Sequence, residues 1–212
     1  MSDTTTVHLL RHGEVHNPQG VLYGRLPGYH LSENGTLMAK AAAKWFNDHD
    51  VAAVISSPLE RAQETADPVA SVFDAGVTLD ARLIEPSNHF EGLTFGVGDG
   101  SLRRPEHWRY LWNPFRPSWG EPYQEIAARM LAAMADARDA GRGREVVCVS
   151  HQLPIWVTRR RVEGKHLWHN PAHRQCGLAS VTSVTYEGDV ITGVSYAEPA
   201  ADLIGRPSVA GA

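Results

Sequence analysis

Three short apolar runs constrain this chain more than any other feature. They are Val7–Leu10, "VAAVIS" from Val51 and "EVVCVS" from Glu145. Each has the length and branching of a strand buried on both faces. Segments with helical spacing lie between them. "GTLMAKAAAKWFNDHD" places Leu37, Ala41 and Trp45 on one helical face, and "SSPLERAQETADPVASVF" repeats Leu59, Ala62, Ala66, Val69 and Phe73. In the second segment Ser57 is expected to cap, Pro58 to take the first helical position and Glu60 to complete a capping box. Pro68 is expected to kink or break that helix. "YQEIAARMLAAMADARDAG" reads as an amphipathic helix ended by Gly141, and another helix is expected to begin near Pro154. Two last strands, "LASVTSVTY" and "VITGVSYA", should turn at Glu187–Gly188–Asp189. Alternating strands and helices predict an α/β domain with a mostly parallel central sheet flanked by helices. We expect one domain over residues 1–198 and a flexible tail over 199–212.

In such sheets ligands bind beyond the carboxyl ends of the strands. Here all three runs end in chemistry. The first runs into Arg11, His12 and Gly13, the second leads to Arg61, and the third meets His151. Taken singly, each is an ordinary solvated or hydrogen-bonded residue. Taken together they converge on one crevice, and cationic donors around one crevice suit a compact anion with several oxygens, above all phosphate. Gly13 is expected to let the backbone approach that anion and to offer it an N–H. Arg61 falls in a first helical turn, where the helix dipole also favours an anion.

Composition narrows the partners. The 212-residue chain has a formal charge of −4, so bulk electrostatics favour neither nucleic acid nor an anionic membrane. Its two cysteines, Cys148 and Cys176, suggest no disulfide framework. "MSDTTTVHLL" lacks the features of a signal peptide, and no apolar run would cross a bilayer. The expected location is the cytoplasm. "KHLWHNPAHRQC" holds His166, His169, His173 and Cys176 at spacings a metal could use, although Pro171 interrupts any single helix. The alternative is a polar loop, at a subunit contact if the chain forms a homodimer.

"LLRHGE", then "SSPLERAQETA", then "CVSHQ" resembles the histidine phosphatase superfamily, which includes the cofactor-dependent phosphoglycerate mutases. Its Arg-His-Gly motif matches Arg11, His12 and Gly13. Its Ser-x-x-x-Arg-x-x-x-Thr motif matches Ser57, Arg61 and Thr65, and its Ser-His motif matches Ser150 and His151. The resemblance covers residues 5 to 198 and implies a three-layer, phosphoglycerate mutase-like sandwich. It implies that His12 is a nucleophile forming a phosphohistidine, that Arg11, Arg61 and His151 hold the phosphoryl oxygens, and that no metal or other cofactor is required. The family's proton donor follows a Leu-x-Glu stretch, which "RLIE" supplies as Glu85. Glu91 in "HFEGL" is the rival, and the run from Glu85 to Glu91 is one residue shorter than the family pattern.

Three departures mark a subgroup. Gln152 stands where the family has glycine after Ser-His, and is expected beside the phosphate. Asn17, expected to reach the phosphate, comes one position early. "GYHLSENG" places Tyr29 and His30 at the entrance. Pro86, Ser87, Asn88 and His89 replace the Arg-His-Tyr-Gly that follows the acid in the mutases, so hydrolysis of a small phosphorylated metabolite is expected over mutase transfer. A phospho-ligand sensor that binds without turnover is the alternative of a different class. Residues 87–122, with Trp108, Tyr110, Trp112, Phe115 and Trp119 among Arg103, Arg104, Arg109 and Arg116, are expected to form either a lid over the site or a satellite core.

Overall fold

The computed structural model describes residues 4–94 and 120–205. Its strands are β1 (Thr4–Arg11), β2 (Val51–Ser56), β3 (Val77–Leu79), β4 (Glu145–Ser150), β5 (Val181–Glu187) and β6 (Val190–Ala197). They form one sheet in the order β3-β2-β4-β1-β5-β6. The first four strands of that order run parallel, and β5 and β6 add an antiparallel edge. The helices are α1 (Glu33–Trp45), α2 (Glu60–Val72), α3 (Tyr123–Ala140) and α4 (Gln152–Val162).

Two cores sit on opposite faces of the sheet. Val7 and Leu9 of β1 face Ile126, Met130 and Met134 of α3 with Ile155 of α4. Leu10 faces the other way, toward Met38 and Ala42 of α1 and Ala62, Ala66 and Val69 of α2. This is the expected three-layer sandwich, and it explains why β1 and β4 read as continuous apolar runs: both faces of each are covered. Register then sets the site. Arg11 pairs with Ser150 and Ser56 with Val149, so β1, β4 and β2 end at one level.

Local details correct four expectations. The buried face of α1 is Met38, Ala39, Ala42 and Ala43, whereas Leu37 is 51% exposed. Small residues fill this face because α1 packs closely on α2. Helix α2 begins at Glu60 after Leu59, whose side chain makes no cap, and Ser57 does not cap it. Pro68 lies within α2 without ending it. Thr65, Ala66, Val69 and Ala70, buried on either side of the proline, hold the helix to the core across the missing N–H. The tail is described as far as residue 205, and there it is docked: Ala200 is buried and Asn34 Nδ2 donates to Leu203 O at 3.1 Å. The turn at Glu187–Gly188–Asp189 lies where expected, with Gly188 at φ 58°. The expected lid falls mostly on residues 95–119, outside the described residues.

Candidate active site

The site is built where β1 and β4 end side by side. His12 N–H donates to Ser150 O at 3.1 Å, and Ala179 N–H donates to His12 O at 3.3 Å. The backbone of His12 is therefore clamped from both sides. Its imidazole is fully buried. Nδ1 lies 2.8 Å from Gly13 O, and a carbonyl can only accept, so Nδ1 carries the proton. Nε2 is left with its lone pair and has no hydrogen-bond partner among the described residues. Burial lowers the His12 pKa well below the usual imidazole range, and the charges of Arg61 and Arg11 push the same way. The ring is thus a neutral base with a bare nitrogen.

Two guanidinium groups stand beside it. Arg61, fully buried on the first turn of α2, donates from one Nη to Gly24 O at 2.7 Å and stacks 4.7 Å from the centre of the Tyr23 ring. Its Nε and other Nη have no partner among the described residues. Arg11 donates to Cys176 O at 2.7 Å, and its Nε likewise has none. Anchoring one edge of each guanidinium fixes the direction of the other. Buried donors without acceptors are costly, and here they cluster around a buried lone pair.

His151 completes this floor. Its ring centre lies 5.1 Å from that of His12. Nε2 is 2.8 Å from Ser57 Oγ, and Nδ1 is 3.7 Å from Glu85 Oε2, too far for a hydrogen bond. Burial lowers its pKa well below the usual range, with Arg61 adding to the shift. Ser57 therefore orients a histidine instead of capping a helix. Thr65 is a positioning residue as well. Its hydroxyl accepts from Gly13 N–H at 3.1 Å and donates to Arg61 O at 2.7 Å. That pair of bonds ties α2 to the turn carrying His12.

Glu85 is 6% exposed, and its Oε2 has no hydrogen-bond partner among the described residues. Burial raises its carboxyl above the ordinary carboxylate range, against the pull of Arg61, Arg174 and Arg11. It lines a cavity of about 230 Å³ together with Tyr23, Asn88, Tyr123, Leu153 and Arg174. Glu91 is placed differently. Its carboxylate accepts from Asn88 N–H at 3.0 Å and closes the turn over residues 88–91.

Other sequence-derived roles change. Gly13 N–H is taken by Thr65, and a Cβ on Gly13 would sit 2.6 Å from Gly35 O. The glycine is needed because the turn packs on the start of α1. Asn17 uses its amide within its own loop, donating to Val21 O at 2.8 Å and accepting from Val21 N–H at 3.0 Å. Gln152 accepts from Arg174 at 3.2 Å and reaches Cys176 O at 3.5 Å, so it braces the wall instead of facing the His12 nitrogen. At the entrance Tyr29 stacks on Tyr23 with ring centres 5.1 Å apart, and His30 is paired with Glu64.

Arg174 belongs to no motif. It lies in an irregular stretch after β4 and α4, where sequence carries no periodicity. Its Nε donates to His169 Nε2 at 2.9 Å, and His169 Nδ1 donates to Leu167 O at 2.7 Å. Both His169 nitrogens are thus engaged. His166, His169, His173 and Cys176 do not form a metal-holding group among the described residues.

The family model for the histidine phosphatase superfamily (branch 1) matches residues 7–199. The chain belongs to that superfamily. One similar protein is the uncharacterized protein Rv0525 of Mycobacterium tuberculosis, 57% identical over 201 residues, covering 95% of this chain and 100% of the relative. Among solved structures, YhfR of Bacillus stearothermophilus aligns with a TM-score of 0.74 at 27% identity, covering 89% of this chain and 94% of that one. The mycobacterial glucosyl-3-phosphoglycerate phosphatase Rv2419c aligns with a TM-score of 0.69 at 27% identity, covering 86% and 90%. No helix among the described residues is long and apolar enough to cross a membrane.

Proposed function

We propose that this superfamily member is a phosphomonoesterase acting on a small phosphorylated metabolite through a phosphohistidine on His12. The observation that carries the reading is the bare, buried Nε2 of His12 beside the unpaired donors of Arg11 and Arg61. A phosphoryl group bound there accepts from both guanidiniums. Nε2 attacks phosphorus as the P–O ester bond breaks, and the departing alkoxide takes a proton from Glu85. A neutral carboxyl is what burial of Glu85 favours. The resulting carboxylate then removes a proton from water, which attacks phosphorus and breaks the P–N bond. Phosphate leaves and neutral His12 returns.

His151 serves as a donor to the phosphoryl oxygens. Ser57 Oγ, 2.8 Å from Nε2, orients the ring, and in this scheme the Ser57 hydroxyl donates to Nε2 while the His151 proton sits on Nδ1. Charge developing on the phosphoryl oxygens is met by groups already in place, so the scheme needs no metal ion. Arg174, Tyr23 and Tyr123 in the adjoining cavity suit a leaving group with acidic or hydroxyl substituents. The name of the similar mycobacterial phosphatase fits a phosphorylated acid as substrate. A cytoplasmic site of action is consistent with this substrate class.

The test is to mix the protein with a ³²P-labelled phosphate ester, quench rapidly in alkali and map the label. An acid-labile, alkali-stable phosphoryl group on His12, absent from His12→Asn, is the expected result. Turnover without label at His12 would overturn the scheme, and phosphate binding with neither label nor turnover would favour a sensor.

A further inference from the structure

A second polar cluster lies at the other end of the same strands. His8 is four residues before His12, which places it about 13 Å away along β1 at a rise of roughly 3.3 Å per residue. Its Nε2 is 3.0 Å from Glu145 Oε2, and His49 Nδ1 is 2.6 Å from the same oxygen. The three ligand-capable atoms all lie within 4.8 Å of one another. They come from three segments: the middle of β1, the start of β4 and the connection between α1 and β2. None belongs to the crevice.

Three features set this cluster apart from a surface ion pair. His8 is buried, and its second nitrogen is held by Ser183 Oγ at 2.8 Å, which fixes the ring as outer-shell partners fix liganding histidines. Trp45 and Phe46 wall the imidazoles, with ring centres 4.4 Å from His49 for Trp45 and 5.3 Å from His8 for Phe46. His49 and Glu145 are only partly buried, which leaves a path for an ion.

We propose that His8, His49 and Glu145 form a divalent-metal site, with zinc the best-matched ion, that fastens β1, β4 and the α1–β2 connection together. Two imidazoles and one carboxylate are a donor set that zinc takes, whereas magnesium and calcium prefer oxygen alone. Zinc bonds of about 2.1 Å at tetrahedral angles would separate the ligand atoms by about 3.4 Å. The two separations to Glu145 need to open by less than about 1 Å, and the two imidazole nitrogens already lie within 4.8 Å of each other, adjustments that the partly exposed His49 and Glu145 side chains can supply. Water would take the fourth position. The site is structural: it lies away from His12, and the phosphatase scheme does not use it.

Tag-free protein, stripped with chelator, is titrated with Zn²⁺ by calorimetry at pH 7.5, and its thermal midpoint is measured with and without the ion. One ion per chain and a raised midpoint are expected. His49→Ala and Glu145→Gln should each weaken binding at least tenfold, while turnover of p-nitrophenyl phosphate stays unchanged. Co²⁺ in place of zinc should give the intense visible absorption of a tetrahedral site, lost in His49→Ala. Absence of stoichiometric binding would show a hydrogen-bonded triad only and overturn the proposal. Binding unchanged in both variants would also overturn it, by placing the ion elsewhere.

Discussion

The crevice has two parts that differ in how they are made. Its floor, Arg11, His12 and His151 with Arg61, stands on strand ends and one helix turn locked by register. Its wall, Glu85, Tyr123 and Arg174, comes from the residues after β3, the start of α3 and an irregular stretch before β5. In the proposed scheme the floor would grip what every phosphate ester shares. The wall would meet what differs between esters. Changes in the floor should therefore act on all substrates alike, and changes in the wall should discriminate.

The largest expected effect is on the floor. His12→Asn removes the proposed attacking nitrogen and should reduce turnover of every ester by about 10⁴-fold or more, as loss of a covalent nucleophile does elsewhere. Arg61→Gln should cost about 10²–10³-fold through lost charge stabilisation, equally for alkyl and aryl phosphates. Initial rates on a panel of esters check this. A variant of Arg61 that spared some substrates would move Arg61 from floor to wall.

Glu85→Gln is the next largest. It should slow phosphoryl transfer from alkyl phosphates to His12 by about 10²–10⁴-fold, yet nearly spare the initial burst of p-nitrophenol from p-nitrophenyl phosphate, whose leaving group needs no proton; hydrolysis of the phosphohistidine, common to both, should slow as well. The pH profile follows from the same group. Burial raises the Glu85 pKa, so its acid form persists above the ordinary carboxylate range and is lost as pH rises through the raised value. Alkyl ester turnover should fall on that alkaline side, and the fall should vanish in Glu85→Gln. Because burial lowers the His12 pKa, the nucleophile stays neutral into the acid range and does not set the acidic limb. Equal loss of the phosphoryl-transfer step on alkyl and aryl esters would remove Glu85 from the acid role.

Arg174→Gln should act more weakly and more selectively. KM for carboxylated phosphate esters is expected to rise about tenfold, the scale of one charge-assisted hydrogen bond. p-Nitrophenyl phosphate should be unaffected. Indifference across the panel would show that Arg174 only braces Gln152 and His169.

The same division explains what can be read from the sequence. Strand ends are marked by apolar runs that stop abruptly, so Arg11, His12 and His151 stand out, and Arg61 follows from helical spacing. Glu85 is reachable only through resemblance to a family, because it follows a short strand and a loop. Arg174 gives no signal at all: its neighbours have neither period nor motif, and only tertiary packing brings it to the cavity. Ser57, Gly13 and Pro68 are conspicuous in the sequence but mislead. Each carries a strong local preference, for a cap, for close approach and for a helix end, that tertiary contacts override.

Asn17 gives the finest test of the boundary between floor and wall. Family resemblance would put it on the phosphate, whereas its amide is closed on both sides by Val21. Asn17→Ala removes those two half-buried bonds, at about 1–2 kcal/mol. A chain of this size should then melt lower by about 2–8 °C. Turnover on every ester should change by less than about threefold, since no phosphoryl contact is lost. Loss of a phosphate contact would instead lower turnover of all esters together by about 10²-fold. The two outcomes differ in kind, in melting temperature for a loop tie and in rate for a ligand contact. One variant measured both ways therefore decides whether the floor ends at Gly13 or extends along the loop to Asn17.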